Sequence, residues 1–309
     1  MSITRYAVNR LLAMIPTLLI LTILVFLMVQ LVPGDPAEIF LGEKHSSPEL
    51  LERVRHEMGL DQPLYVQYLT YMGNLLRGNF GESLFNNQPV LEQILAAVPY
   101  TLTLALSALF ISTILGVGLG IISALNHNSW IDSSAMVVAL LGVSMPVFWL
   151  GLLLILVFSV TLKWFPPMGQ GSLDRLVLPA LTLGLLSSAT LARVVRSNML
   201  DVLSDDYIRT AKAKGLRKNT IIVRHALRNA LIPAVTLMGL QFGGLISGAV
   251  ITETIFARIG LGRMYVESIL NKDITMIQGL TLMLAFIIML INILVDISYA
   301  ALDPRIRYE

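Results

Sequence analysis

The sequence predicts an all-α protein that crosses a membrane about six times, and three observations support this fold class. Of the 309 residues, 55% are hydrophobic and only 14% are charged, whereas soluble domains carry about 25% charged residues. The mean hydropathy of +0.75 points the same way. Six long runs without a charge are each near or above the ~20 residues that a transmembrane helix needs. The absence of cysteine excludes disulfides, thiol catalysis and cysteine metal sites.

The first uncharged run extends from Leu11 to Gly34 and is predicted to be a retained transmembrane helix. It exceeds the ~7–15 apolar residues of a signal peptide, and no small-x-small cleavage site follows. A basic N-terminal stretch precedes it, which places the N-terminus in the cytoplasm. Residues 1–36 therefore form the first predicted segment, which ends at the helix-breaking sequence Pro33-Gly-Asp-Pro36.

Residues 37–98 form a long connection, which is predicted to be an extracytoplasmic helical insertion. Acidic residues outnumber basic ones there, which fits the outer side, although long loops follow the charge rule poorly. A helix is expected from Pro48 to Met58 with Ser46 or Ser47 as its cap, and an apolar stripe over residues 64–76 predicts a second one. The sequence GNFGES at 78–83 predicts a turn. A packed lid without any chemical role is an equally open interpretation of this insertion.

Five further uncharged runs follow in residues 99–309, which we expect to form the transmembrane domain. They are Thr101–Leu125, Ser133–Leu162, Leu176–Ala192, Asn229–Thr252 and Ile274–Val295. Pro146 should kink or split the second of these runs, and Arg193 and Arg196 could reach the interface from the end of the short third run. Six spans place both termini in the cytoplasm, and the basic C-terminus agrees with that orientation.

Glycines are concentrated in two of the predicted spans. They are Gly116, Gly118 and Gly120 in one, and Gly239, Gly243, Gly244 and Gly248 in the other. Glycine at this spacing favours close packing between helices. A role in lining a pore is the open alternative, because glycine also leaves room.

The longest polar segment in the second half of the chain is Arg193 to Pro233, called the basic segment below. It contains nine of the chain's 22 Lys and Arg residues, which places it in the cytoplasm. Its apolar positions predict a short helix that starts near Tyr207, with Asp205 and Asp206 favouring its first turn, and Gly215 is suited to end it. Two interpretations compete evenly: a topology signal that attracts anionic lipid headgroups, or a docking surface for a cytoplasmic partner.

The sequence does not indicate catalytic chemistry. All four histidines lie in predicted connections, and neither H-E-x-x-H nor G-x-S-x-G occurs, which argues against a membrane-embedded enzyme. There is no Walker A motif, filter-like loop or pair of intramembrane carboxylates, so ATP binding by this chain, an ion channel and a proton-coupled carrier are all disfavoured. A transporter driven by another subunit is the interpretation that is left.

The basic segment reads YIRTAKAKGL at 207–216 and HALRNALIP at 225–233. These motifs resemble the coupling segment of ABC importer permeases, and more narrowly that of the dipeptide/oligopeptide family of binding-protein-dependent inner membrane components. PGDP at 33–36, GNFGES, ETIF with GLGR over 253–263, and the final DPRIRY also resemble that family. The likeness covers essentially the whole chain. Two departures are Arg258-Ile259, where the family commonly has an aromatic-Pro pair, and Asp273-Ile-Thr275, where it favours Asp-Tyr-Pro.

The resemblance implies a permease subunit of the bacterial cytoplasmic membrane, without a cofactor or catalytic activity of its own. Its partners would be a second related permease, two ATPase subunits that hold ATP and Mg, and an extracytoplasmic solute-binding protein. The substrate would be a dipeptide or oligopeptide, and glutathione and nickel chelates stay open. The coupling loop would span 193–230, and Ala211 and Ala213 would enter a groove of the ATPase. The residues expected to couple to it are Arg209, Thr210, Ala211, Lys212, Ala213, Lys214, Gly215 and Arg217.

Four residues are candidates for the translocation pathway, because a peptide suits a lining of small and polar side chains with few fixed charges. They are Ser144, Met145, Gln241 and Ser247. Packing between helices is an equally open role for each of them.

Overall fold

The computed structural model describes residues 3–31, 37, 48–57 and 59–302, and it is almost entirely helical. Numbered in chain order, its helices are α1 (Ile3–Leu31), α2 (Pro48–Glu57), α3 (Leu64–Leu76), α4 (Val90–Leu125), α5 (Trp130–Ser144), α6 (Val147–Thr161), α7 (Asp174–Ser204), α8 (Asp206–Ala213), α9 (Lys218–Ile255), α10 (Leu261–Leu270) and α11 (Ile274–Leu302). The second half of α6 and residues Ile221–Ala226 of α9 have π-helical geometry. The predicted fold class is confirmed.

Five helices are long and apolar enough to cross a membrane, namely α1, α4, α7, α9 and α11. Helices α5 and α6 pass the same test only together, as a pair that meets at an angle of 109° and forms either one broken span or a re-entrant loop. Met145 at this break is extended (φ −85°, ψ 133°), because a residue before proline is driven out of the helical region. Pro146 directly precedes the first residue of α6. The prediction that Pro146 breaks this span is confirmed.

The helices extend further than the uncharged runs that predicted them. The run that ended at Ala192 belongs to α7, which continues to Ser204, and the run that began at Asn229 belongs to α9, which begins at Lys218. Arginine and lysine are good helix formers, so the charged residues next to these runs do not end the helices. In α7 a buried face also continues through Val195 and Met199.

The chain forms two compact units, of which the larger comprises Met1–Asn9, Ala97–Met264 and Ile288–Glu309. Its core includes Leu191, Val195 and Met199 of α7, packed with a row of alanines along α9. A Cβ on Gly116 or Gly120 would come within 3 Å of backbone or side-chain atoms of α7. The packing interpretation is therefore confirmed for these two glycines, whereas the space beside Gly118 and Gly244 is open.

The smaller unit comprises Arg10–Ala96 and Tyr265–Ile287. Phe26 of α1 contacts the rings of Tyr68 and Tyr71 of α3, with centroids 5.5 and 5.9 Å apart. Ser83 is buried, and its hydroxyl donates to Asp273 Oδ2 at 2.5 Å.

The predicted helices over 48–58 and 64–76 are present as α2 and α3. The predicted turn at 78–83 is present, with positive φ at both Gly78 and Gly81. The PGDP motif, the proposed caps Ser46 and Ser47, Met58 and the DPRIRY motif lie outside the described residues.

Candidate functional site

The basic segment contains one short helix, α8, that has a buried face and an exposed face. Ile208 and Ala211, one turn apart, are 0% and 7% exposed and pack in the core with Val195 and Met199. Burying an isoleucine side chain stabilises by about 1.5–3 kcal/mol, so Ile208 anchors this amphipathic helix to its own unit. The opposite face of α8 is open to a partner.

Eight of the nine cations of the basic segment are exposed. They are Arg193, Arg209, Lys212, Lys214, Arg217, Lys218, Arg224 and Arg228. Arg209 lies 3.5 Å from Asp206, but both side chains are largely exposed, and an ion pair of that kind contributes little to stability. The segment thus presents a strongly positive surface whose charges are available to a partner.

The prediction that Gly215 ends this helix is confirmed. Gly215 has φ +74°, its N–H donates to Lys212 O, and the next N–H, of Leu216, donates to Ala211 O. This pair of bonds is a Schellman motif, which requires a left-handed residue and favours glycine. At the other end, Asp205 occupies the cap position without a side-chain hydrogen bond, so its predicted capping contact is absent.

Tyr207 fixes the start of α8 to α9. Asn229 Nδ2 donates to the Tyr207 hydroxyl at 2.9 Å, and that hydroxyl donates to His225 O at 3.5 Å. A recess of about 360 Å³ lies beside α8, with Lys212 and Lys218 on its polar side and Leu203 and Ile222 among its apolar residues. The surface therefore combines fixed cations with an apolar depression.

One predicted detail of this surface requires correction. The Ala211 side chain was expected to enter a groove of a partner, but it is buried in its own unit. The reason is helical periodicity, because Ala211 lies three residues after Ile208 and shares its face. Thr210, Lys212, Ala213 and Lys214 are exposed, and they lie where a partner can contact them.

A charged cluster that the sequence did not predict lies near the same end of α7. Arg196 Nε and Nη2 donate to the two oxygens of Asp132, each at 2.7 Å. Asp132 also accepts hydrogen bonds from the Ser123 hydroxyl and from Asn128 N, and His127 Nδ1 lies 3.3 Å from Asp132 Oδ2. A carboxylate with these four donors fixes the connection between α4 and α5 onto α7.

The sequence suggested only that Arg196 could reach the interface, and it did not predict this bidentate pair. Residues 132 and 196 are far apart in sequence, so no local spacing connects them. The available signal was Asp132 itself, because a carboxylate directly before an apolar run calls for a partner when it is buried.

At the opposite end of α9 the ETIF–GLGR stretch folds around one buried carboxylate, Glu253. Glu253 accepts hydrogen bonds from the Thr101 hydroxyl at 2.6 Å, from Gly262 N at 2.8 Å and from Arg263 N at 3.2 Å. Thr101 Oγ1 in turn accepts from Leu261 N at 2.8 Å. The carboxylate therefore holds the start of α10 against Thr101 of α4 and the end of α9.

Arg258 follows this carboxylate in the same connection and is 5% exposed. Its Nη1 donates to Arg175 O at 3.1 Å, and burial lowers the pKa of its guanidinium from the usual value. The next N–H, of Ile259, donates to Gln170 Oε1 at 2.7 Å. These bonds tie the connection after α9 to the connection before α7.

The four pathway candidates occupy two regions of the larger unit. Ser144 and Met145 lie at the break between α5 and α6, whereas Gln241 and Ser247 lie on α9. Ser247 is exposed, and Gln241 is partly buried and donates to Ser187 O at 3.1 Å. Six residues along a helix correspond to about 600° of rotation, so Gln241 and Ser247 do not share a face. Their role in a pathway stays a prediction.

Comparison with known proteins identifies relatives over almost the full length. Residues 116–308 match the family model "Binding-protein-dependent transport system inner membrane component", and residues 3–105 match the corresponding N-terminal model. The glutathione transport system permease proteins GsiC of Escherichia coli (strain K12) and Shigella dysenteriae serotype 1 are each 44% identical over 304 residues. These alignments cover 98% of this chain and 99% of the relative.

Solved structures of ABC transporters share the fold. The MetNI methionine ABC transporter in an inward-facing conformation matches with a TM-score of 0.60 at 17% identity, covering 68% of this chain and 96% of that one. An amino acid ABC transporter crystallised with histidines matches with a TM-score of 0.53 at 13% identity, over 68% of this chain and 94% of that one.

Proposed function

This chain belongs to the family of binding-protein-dependent transport system inner membrane components and is a permease subunit of an ABC importer, and we propose that its substrate is a short peptide. The peptide would cross the cytoplasmic membrane inward through spans of this subunit and of a second related permease. A solute-binding protein would deliver it on the outer side. Two ATPase subunits, which hold ATP and Mg, would drive the cycle.

The observation that carries the proposed coupling to ATP hydrolysis is the exposed face of α8. Its buried face is fixed to the core through Ile208, and its C-terminal turn is fixed by Gly215. A helix held in this way moves together with α7 and α9, so a force applied to it reaches two spans. In this proposal the ATPase contacts Thr210 and Ala213, and the exposed Arg209, Lys212, Lys214 and Arg217 flank that contact, where charges mainly set the association rate.

A bulky residue on the exposed face of α8 tests this proposal. We expect Ala213→Trp to reduce the amount of ATPase that co-purifies with the permease and to reduce peptide uptake by the reconstituted complex, because the partner must accommodate a much larger side chain in a packed interface. The matched control is Gln88→Trp, at an exposed position of the smaller unit. Equal ATPase retention and uptake in both variants would refute α8 as the coupling surface.

Glutathione is the second candidate substrate, and the relatives favour it. Proteins named as glutathione transport permeases are 44% identical to this chain over nearly its full length. Glutathione is itself a tripeptide, so both candidates share a polar backbone and charged ends. Uptake of labelled glutathione and of labelled trialanine by the same reconstituted complex, each with the other as competitor, distinguishes them. Transport of neither compound would refute the proposed substrate class.

A further inference from the structure

The smaller unit contains a cavity of about 310 Å³ between α1, α3 and the start of α11. Its volume is at the lower end of the ~300–1,000 Å³ of small-molecule sites. The described residues that line it include no Lys, Arg, His, Asp or Glu. The amides and hydroxyls among them include those of Gln30, Gln67, Tyr71, Asn74, Thr275 and Gln278, so we call this the amide cavity.

Part of this polar lining is already engaged in the protein. Gln67 donates to Gln62 O at 2.8 Å and to Leu60 O at 3.2 Å, and its Oε1 accepts from Gln30 Nε2 at 3.2 Å. Gln278 Nε2 donates to Val25 O at 3.4 Å. These bonds engage one of the two N–H donors of Gln30 and one of the two of Gln278.

Tyr71 is the side chain that points to a ligand. Its hydroxyl oxygen is shielded from solvent and has no hydrogen-bond partner in the part of the chain that the structure describes. Tyr68, three residues earlier, shows the ordinary arrangement, because its hydroxyl pairs with Thr22 at 3.0 Å. A buried hydroxyl without a partner has lost its hydrogen bonds to water without replacement, and a ligand that supplied the missing hydrogen bond would relieve that cost.

The chemistry of the lining selects the ligand. Burial raises the pKa of Tyr71 to about 12, so this hydroxyl stays neutral and can both donate and accept. Asn74, one helical turn further on α3, also lines the cavity, and its amide has two N–H donors and a carbonyl oxygen with two lone pairs. A peptide group offers one N–H and one C=O, which matches this set. The described lining has no cation to hold a phosphate or a carboxylate.

We propose that the amide cavity binds the uncharged backbone of a short peptide. Its part in import rests on the proposed function, because only in a peptide importer would such a site hold cargo. The charged ends of the peptide would lie outside the cavity. A neighbouring depression shares Gln30, Leu60 and Gln67 with it and is also lined by Glu52, Arg55 and Asp61, and Asp61 is hydrogen-bonded to His56 at 2.7 Å.

The test measures binding of N-acetyl-trialanine methylamide, an uncharged peptide that carries a photoreactive diazirine, to the purified full-length chain in nanodiscs. We expect Tyr71→Phe to raise the half-saturating peptide concentration for crosslinking about threefold to tenfold, which is the effect of losing one hydrogen bond. Asn74→Leu should have a similar effect. Tyr71→Phe keeps the ring that packs on Phe26. The control is Tyr65→Phe, since Tyr65 is 69% exposed on the same helix and does not line the cavity.

Equal crosslinking by Tyr71→Phe, Asn74→Leu and Tyr65→Phe would overturn the proposal. Mass spectrometry that finds a phospholipid bound to the wild type and lost from Tyr71→Phe would also overturn it, because the cavity would then be a lipid site. Peptide uptake by the whole complex separates this proposal from the proposed function. If Tyr71→Phe weakens peptide binding but the wild-type complex imports no peptide, the cavity proposal is supported and the proposed function is refuted. If the wild-type complex imports peptide but Tyr71→Phe leaves peptide binding unchanged, the proposed function is supported and the cavity proposal is refuted.

Discussion

The pair formed by Asp132 and Arg196 gives the sharpest prediction for stability. Replacing Arg196 with methionine removes the cation and keeps much of the side-chain length. Asp132, whose side chain is only 6% exposed, would then stay buried without a cation from α7 beside it. Arg193→Met is the matched control, because Arg193 is exposed on the same helix and forms no hydrogen bond or ion pair within the described residues.

The structure sets the size of the expected effect. Removing one partner of a fully buried ion pair costs about 3–5 kcal/mol. Arg196 is 25% exposed, and Asp132 retains its hydrogen bonds from Ser123 and Asn128. Both features reduce the loss, so we expect Arg196→Met to lower the free energy of unfolding by about 2–3 kcal/mol, and Arg193→Met to change it by less than about 0.5 kcal/mol.

Denaturant titration of the purified chain in detergent, followed by tryptophan fluorescence, measures this difference, and Trp130 lies two residues from Asp132. The double variant Asp132→Asn/Arg196→Met should recover part of the loss, because no buried charge is left unpaired. If Arg196→Met is as stable as Arg193→Met, the pair does not fix the α4–α5 connection and the argument fails.

Three further predictions concern coupling, topology and the pathway. Gly215→Val should reduce both ATPase retention and peptide uptake, because a left-handed conformation costs a non-glycine residue about 1–2 kcal/mol. Gly215→Asn, which tolerates that conformation better, should retain more of both. Equal values for the two variants would contradict this prediction. In intact cells an impermeant thiol reagent should label Gln88→Cys and should not label Lys218→Cys. The reverse labelling pattern would refute the predicted orientation. Ser83 is only 2% exposed and is therefore unsuitable as a labelling position. Ser247→Trp should slow peptide uptake without loss of the bound ATPase. The control Leu240→Trp, at a 60% exposed apolar position of the same helix, should leave uptake unchanged. Equal uptake by the two variants would remove Ser247 from the pathway.

The five long apolar helices could be predicted from the sequence, because a transmembrane helix must be apolar over most of its length. The break at Pro146 could be predicted for an equally local reason, since proline restricts itself and the residue before it. The helix ends could not, because α7 continues through Arg193 and Arg196 for as long as its buried face finds neighbours in the core. The partners of Asp132 and Glu253 depend on which helices pack together, and no residue spacing specifies that.

The burial of Ala211 shows where an argument from sequence alone stops in the basic segment. Ile208 and Ala211 form an apolar stripe one turn apart, and such a stripe is covered either by the chain's own helices or by a partner. The residues of α8 do not decide between these two outcomes. Val195 and Met199 of α7 and Ile221 and Ala226 of α9 complete the same core cluster, so the stripe is already covered. What α8 leaves to a partner is a face of small side chains among cations, and a surface that binds it must therefore carry acidic groups or leave those cations in water.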